Sequence, residues 1–108
     1  MEREYVTFSA KDDGQLVAHI ACELDHHTAR IVREKIDRET FLVEPRVLVL
    51  DLSAVAFMDS SGLALILGRV EVAAAAGGVV RVTGARPAVM RIIRLSGIER
   101  VSGLTVAP

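Results

Sequence analysis

The chain has 108 residues, of which 51% are apolar and 25% charged, with a formal net charge of -1 at pH 7. That balance suits a single compact domain spanning residues 1–108, able to fold without disulfide or metal, and excludes a disordered chain. With no basic excess, 4% aromatic residues and no tryptophan, neither phosphate-driven nucleic-acid binding nor a base-stacking platform is expected.

The opening Met1-Glu2-Arg3-Glu4 lacks the apolar run of a signal peptide. Tyr5 to Ser9 reads as a strand, Asp13-Gly14 as a hairpin turn, and Gln15 to Cys22 as a second strand. Cys22 is the only cysteine. It forbids an internal disulfide, fits a reducing cytosol and reads as a small core residue. Asp25 is a good N-cap for a helix over His26 to Phe41, whose buried stripe is Ala29, Val32 and Ile36. Glu44-Pro45 breaks the chain. Val47 to Leu50 is continuously apolar, the pattern of a central strand covered on both faces. The longer stretch to Met58 contains Asp51 and is too short to span a bilayer.

After the loop ending Asp59-Ser60-Ser61-Gly62, a helix follows with its core stripe at Leu63, Ile66, Leu67, Val70 and Ala74. It stops at Gly77-Gly78, where left-handed backbone is cheap. Val79 to Val82 is a strand; Pro87 opens a third helix, Val89, Ile92 and Ile93 form its core face and Gly97 ends it. Val101 to Val106 reads as an edge strand. Five of the 13 basic residues fall between Arg81 and Arg100, on a helix with apolar spacing, so a solvated face is favoured over an anion site. The order β-β-α-β-α-β-α-β predicts an α/β fold with some parallel pairing.

Function concentrates at Asp59-Ser60-Ser61-Gly62, a hydroxyl-bearing loop between a buried strand and a helix N-terminus. Sites gather beyond the carboxyl ends of such strands, and free N–H groups and the helix dipole are found there. On local pattern alone, Asp59 or Ser60 serves as a cap. The helix that follows is unusual, because Ala64, Leu65, Gly68, Val72 and Ala75 lie off its main stripe and only Arg69 and Glu71 carry charge. Its outer face, around Leu65 and Gly68, is therefore a candidate docking surface. Gly68 in a helix interior costs about 1 kcal/mol relative to Ala. Close approach by another chain and close packing within the domain both account for it.

Phe57-Met58-Asp59-Ser60-Ser61-Gly62-Leu63, continued by Ile66-Leu67-Gly68-Arg69, resembles the signature loop and helix of the anti-sigma factor antagonists. Glu23-Leu24-Asp25-His26-His27-Thr28-Ala29 resembles a second motif of that family, and Leu95-Ser96-Gly97 a third. The resemblance implies a STAS fold, a mixed central sheet with helices packed mainly on one face. It implies a phosphorylated serine at Ser60 and partner contacts at Asp25, Asp59, Ser61, Gly62 and Arg69, beside Leu65 and Gly68 from the docking face. The implied partners are an anti-sigma factor that is a serine kinase and a serine phosphatase that resets Ser60. The implied location is the cytoplasm, with no cofactor, membrane or direct nucleic-acid contact. The Asp-His-His-Thr-Ala run points to sporulation rather than a stress-response partner-switching system. Cys22 stands where the family usually has glycine, and a positive φ there would strain it. The family's final helix would fall beyond Pro108, so its contacts are not expected here.

A serine hydrolase is the competing class. Ser60 lacks the nucleophile-elbow spacing, because Met58 stands two residues before it where glycine is needed. His26 and His27 are adjacent on a helix and point about 100° apart, so they cannot chelate one metal. No catalytic residue or metal ligand is assigned.

Overall fold

The structure, a computed structural model, describes residues 4–107. Met1 to Arg3 and Pro108 lie outside the described residues, and with them most of the charged opening read from the sequence. Asp13-Gly14 makes the first turn, Gly14 taking φ +84°. It joins β1 (Val6–Ala10) to β2 (Gln15–Ile20) in an antiparallel hairpin with Val6 opposite Ile20. Three strand–helix–strand units follow: β2 to β3 (Val47–Asp51) through α1 (His26–Val43), β3 to β4 (Val79–Thr83) through α2 (Ser60–Ala75), and β4 to β5 (Leu104–Val106) through α3 (Pro87–Ser96). Each pairs its two strands in parallel, so the sheet order is simply β1-β2-β3-β4-β5.

Alternation along the strands decides where the core lies. Leu16, Ala18, Leu48, Leu50, Val80 and Val82 point to one face and meet Val32 and Ile36 of α1, Ile66 and Val70 of α2, and Val89 and Ile93 of α3 in one buried cluster. The helices therefore cover one face of a mixed sheet, as the resemblance implies. The other face carries Ser9, Val17, Val49, Arg81 and Thr105 in one register row.

Four expectations change. β2 ends at Ile20, and Cys22 packs into the core at 3% exposure. Its φ is not positive, since Glu44 (φ 51°) is the one non-glycine with positive φ among the described residues, so the expected strain at Cys22 is absent. α1 runs two residues beyond Phe41 to Val43, and the left-handed Glu44 closes it by donating its N–H to the Thr40 carbonyl at 2.9 Å. The last strand shrinks to Leu104–Val106 because Ser102-Gly103 turn the chain ahead of it, Gly103 taking φ +87°.

The fourth change bears on function. The buried residues of α2 are Gly62, Leu65, Ile66, Arg69, Val70 and Ala73, so the helix is rotated relative to the stripe read from sequence. Leu65 is 4% exposed and belongs to the core, whereas Leu67 is only half-buried. Arg69, one of only two charges on α2, points inward rather than outward, its Nη1 lying 2.7 Å from Asp37 Oδ1 of α1 and donating to the Arg33 carbonyl at 3.4 Å.

Candidate functional site: two helix N-termini side by side

Because β2 and β3 are parallel neighbours, the loops at their carboxyl ends emerge together. The pairing continues into those loops through a parallel bridge between Leu24 and Met58. Leu24 N–H donates to the Phe57 carbonyl at 3.0 Å, and Asp59 N–H donates to the Leu24 carbonyl at 3.1 Å. Both bridging side chains are fully buried. One residue further along each loop stand Asp25 and Asp59, the N-caps of α1 and α2. The two acids and the two helix starts are thus fixed beside each other by backbone pairing.

The α1 cap is a closed capping box. Asp25 Oδ1 accepts from Thr28 N–H at 2.9 Å, and Asp25 N–H donates back to Thr28 Oγ1 at 3.0 Å. The Thr28 hydroxyl also donates to the Glu23 carbonyl. The Thr28 N–H first, and then its hydroxyl, hold the Asp25 carboxyl below the usual carboxylate range.

The α2 cap is simpler. Asp59 Oδ1 accepts from Ser61 N–H at 2.7 Å. Ser60 is the first residue of α2, exposed, and its hydroxyl makes no hydrogen bond among the described residues. Gly62 is buried against Met58, and a Cβ there would lie 2.8 Å from Met58 Sδ and 2.9 Å from Met58 Cβ. Glycine is therefore required by the close approach of the bridging methionine to the first turn of α2.

Of the residues expected at the site, Asp25, Asp59, Ser60 and Ser61 come together. Gly62 shapes the loop from inside the protein and offers no surface, which corrects its expected place among the partner contacts. Arg69 is corrected likewise, being buried in the contact between α1 and α2; Leu65 is not the outward residue expected but belongs to the core and reaches the surface only as part of the floor between the two helices. Burial pulls the Arg69 pKa below the usual guanidinium value, opposed by Asp37 and reinforced by Arg33. The outward side of α2 carries instead Ser60, Ala64, Gly68 and Val72, spaced four apart, with Glu71 its one exposed charge. A Cβ on Gly68 would meet nothing within 4 Å, so packing inside the domain does not explain that glycine. Phe57, half-exposed in the loop ahead of Ser60, extends the apolar surface and was not singled out from sequence.

A serine–histidine–aspartate chain does exist, but elsewhere. His19 Nδ1 lies 2.8 Å from Asp51 Oδ2, and His19 Nε2 lies 2.9 Å from Ser9 Oγ. The three side chains cross β1, β2 and β3 on the sheet face away from the helices, His19 standing directly opposite Asp51. Ser60 has no histidine partner of this kind. Only a correct register for β1, β2 and β3 could have revealed the chain from sequence.

The STAS domain family matches residues 9–107, and this chain belongs to that family, among its anti-sigma factor antagonists. It is 38% identical over 88 residues to the anti-sigma F factor antagonist of Paenibacillus polymyxa, covering 82% of this chain and 75% of that relative. The solved structure of the anti-sigma factor antagonist SpoIIAA in its unphosphorylated form matches with a TM-score of 0.78 at 26% identity, over 95% of this chain and 88% of that one. The Bacillus cell fate determinant SpoIIAA in its phosphorylated form matches with a TM-score of 0.69 at 25% identity, over 95% and 91% of the two chains.

Proposed function

We propose that this chain is a phosphorylation-controlled docking protein of the cytoplasm. Unphosphorylated, it binds an anti-sigma factor that is itself a serine kinase, and so frees the sigma factor. Phosphorylation of Ser60 ends the interaction, and a serine phosphatase restores it. The observation that carries this proposal is the open Ser60 hydroxyl at the start of α2, in a loop held in register by the Leu24–Met58 bridge. The sigma-F name of the Paenibacillus relative favours a sporulation-type partner over a stress-response one. No described helix is long and apolar enough to cross a membrane.

The chemistry follows from the position. A phosphate on Ser60 adds about -1.5 to -2 charge at neutral pH and meets first-turn N–H groups and the positive end of the α2 dipole, which favour an anion. The fold tolerates it. In support, both the unphosphorylated and phosphorylated forms of SpoIIAA share this fold. The partner does not tolerate it: Asp59 and Asp25 already make the spot acidic, and burying a hydrated phosphate unpaired against the apolar α2 face costs several kcal/mol, where about 1.4 kcal/mol is a tenfold loss of affinity.

The test combines the chain with candidate anti-sigma factor kinases, in ATP or ADP, and reads intact mass, phosphopeptides and binding. One phosphate on Ser60, at least a hundredfold weaker binding after it, and constitutive binding by Ser60→Ala are expected. A label on Ser61 that persists in Ser60→Ala overturns the assignment. Amide shifts confined to the surroundings of Ser60 and Asp25 are expected on phosphorylation; shifts spreading through the sheet and α3 would replace local charge with a conformational switch.

A further inference from the structure

Next to Ser61, the N-terminal halves of α1 and α2 diverge and leave a groove of about 210 Å³. Its rim on α1 is cationic, formed by Arg30 and Arg33 with His26 at the end nearest the caps, and its floor is apolar, formed by Ala64 and Leu65. None of the residues lining it is acidic. Arg30 and Arg33 have no ion pair among the described residues. Further along the same seam, the Asp37 carboxylate is already engaged by the buried Arg69 at 2.7 Å. Two arginines are thus held over an apolar floor with no counter-charge of their own. A guanidinium so placed is suited to a carboxylate, with which it makes paired, charge-assisted hydrogen bonds. The volume sets the scale of the guest. It falls below the roughly 300–1,000 Å³ of a small-molecule site, too small for a nucleotide and adequate for one or two side chains.

We infer that this groove receives an acidic segment of the anti-sigma factor kinase, a Glu or Asp carboxylate bridging Arg30 and Arg33 with its aliphatic stem on Ala64 and Leu65. The inference rests on the docking proposal above and adds the chemistry of the contact. Charge complementarity selects the guest, and the groove is continuous with the loop that carries Ser60. It also divides labour between the two helices: α2 supplies the largely apolar contact strip and α1 the charged anchor that sets register and on-rate.

The experiment uses the anti-sigma factor kinase that binds the wild-type chain. Binding kinetics are compared for wild type, Arg30→Glu, Arg33→Glu and the double variant, with Lys35→Glu as a control of equal charge change on an exposed part of α1 outside the groove. Each groove variant should bind at least tenfold more weakly, mostly through a slower on-rate with a shallower dependence on salt. The control should bind within about twofold, and all should melt near wild type. A Glu→Lys change in the kinase segment that restores binding to the double variant identifies the guest. Undiminished binding by the double variant overturns the inference and leaves the docking proposal standing. Equal loss in the Lys35→Glu control overturns it in favour of diffuse net charge. A change in the oligomeric state of the chain itself in Arg30→Glu overturns it in favour of a second copy as guest. Wild-type chain that binds no anti-sigma kinase removes the docking proposal, and the groove assignment with it.

Discussion

α1 and α2 begin alike and are built for different ends. Each follows a parallel strand, starts at an aspartate cap, and is tied to the other through Leu24 and Met58. In α1 the third helical residue is Thr28, buried and bonded back to the cap. In α2 the equivalent position is Gly62, bare because Met58 occupies the space. The first turn of α1 is locked, while that of α2 leaves Ser60 free. Further along, α1 turns a charged face to water, whereas the outer side of α2 is a mostly apolar strip with Glu71 its one exposed charge. The difference teaches that α1 serves as scaffold and α2 as the presented element, although both pack against the same sheet.

The largest expected effect tests which side of α2 is presented. Leu65→Glu places a charge at a position 4% exposed and should cost about 3 kcal/mol or more, a large part of a small domain's stability. Ala64→Glu, one residue away and exposed, should leave the melt within about 0.5 kcal/mol and weaken kinase binding at least tenfold. A stable Leu65→Glu protein would undo the comparison at its base.

That contrast also marks where the sequence was legible. The strand and helix order, the Asp25 cap, Pro87 and Gly97 at the ends of α3, and the stripe Ala29, Val32 and Ile36 of α1 could all be read, because each rests on local chemistry or on a clean alternation of apolar and charged residues. The orientation of α2 could not. A helix apolar all round gives no polar side to anchor the pattern, and Arg69, the natural marker of an outer face, points inward beside a carboxylate 32 residues earlier. The proximity of Asp25 to Asp59 needed the strand order, which only tertiary pairing supplies.

Next in size is Gly62→Ala. The new Cβ meets the Met58 side chain below 3.0 Å; the sulfur can move, but Met58 Cβ is fixed to the bridging backbone. Overpacking of this kind costs about 1–3 kcal/mol, offset by about 1 kcal/mol of helix propensity gained over glycine, so a net loss of up to about 2 kcal/mol is expected in denaturant titration. Amide shifts should reach Leu24 and the α1 cap through the bridge. A stabilising outcome would mean that the loop is not held by that contact.

Gly68→Ala should act in the opposite sense. With nothing within 4 Å of the added methyl, the domain should gain up to about 1 kcal/mol and melt a few degrees higher. If partner backbone approaches α2 there, binding falls severalfold while stability rises. Stability and binding that improve together would remove Gly68 from the interface and shift the contact toward Ala64 and Phe57.

The smallest effect separates the locked cap from the rest of the molecule by pH. The Asp25 carboxyl is depressed by the Thr28 N–H and hydroxyl. At Asp51, burial pushes the pKa up but is outweighed by the Ser53 N–H and by His19, so that it too lies below its ordinary value. A carboxyl with a lowered folded-state pKa contributes stability that is full above its unfolded value, about 3.9, and is lost as pH falls through the folded value, because the unfolded chain then takes up the proton first. Asn is nearly as good an N-cap as Asp and cannot titrate. Asp25→Asn should therefore keep α1 intact, melt slightly below wild type near neutral pH, and close that gap as pH drops from about 5 toward 3. Asp51→Asn should show the same convergence, with the added loss of the acceptor for His19 Nδ1 and so a loosened link between β2 and β3. Parallel melting curves for wild type and Asp25→Asn across the acid range would mean that the capping box holds through Thr28 geometry alone, and the contrast between a locked α1 and an open α2 would then rest on hydrogen-bond count rather than on charge.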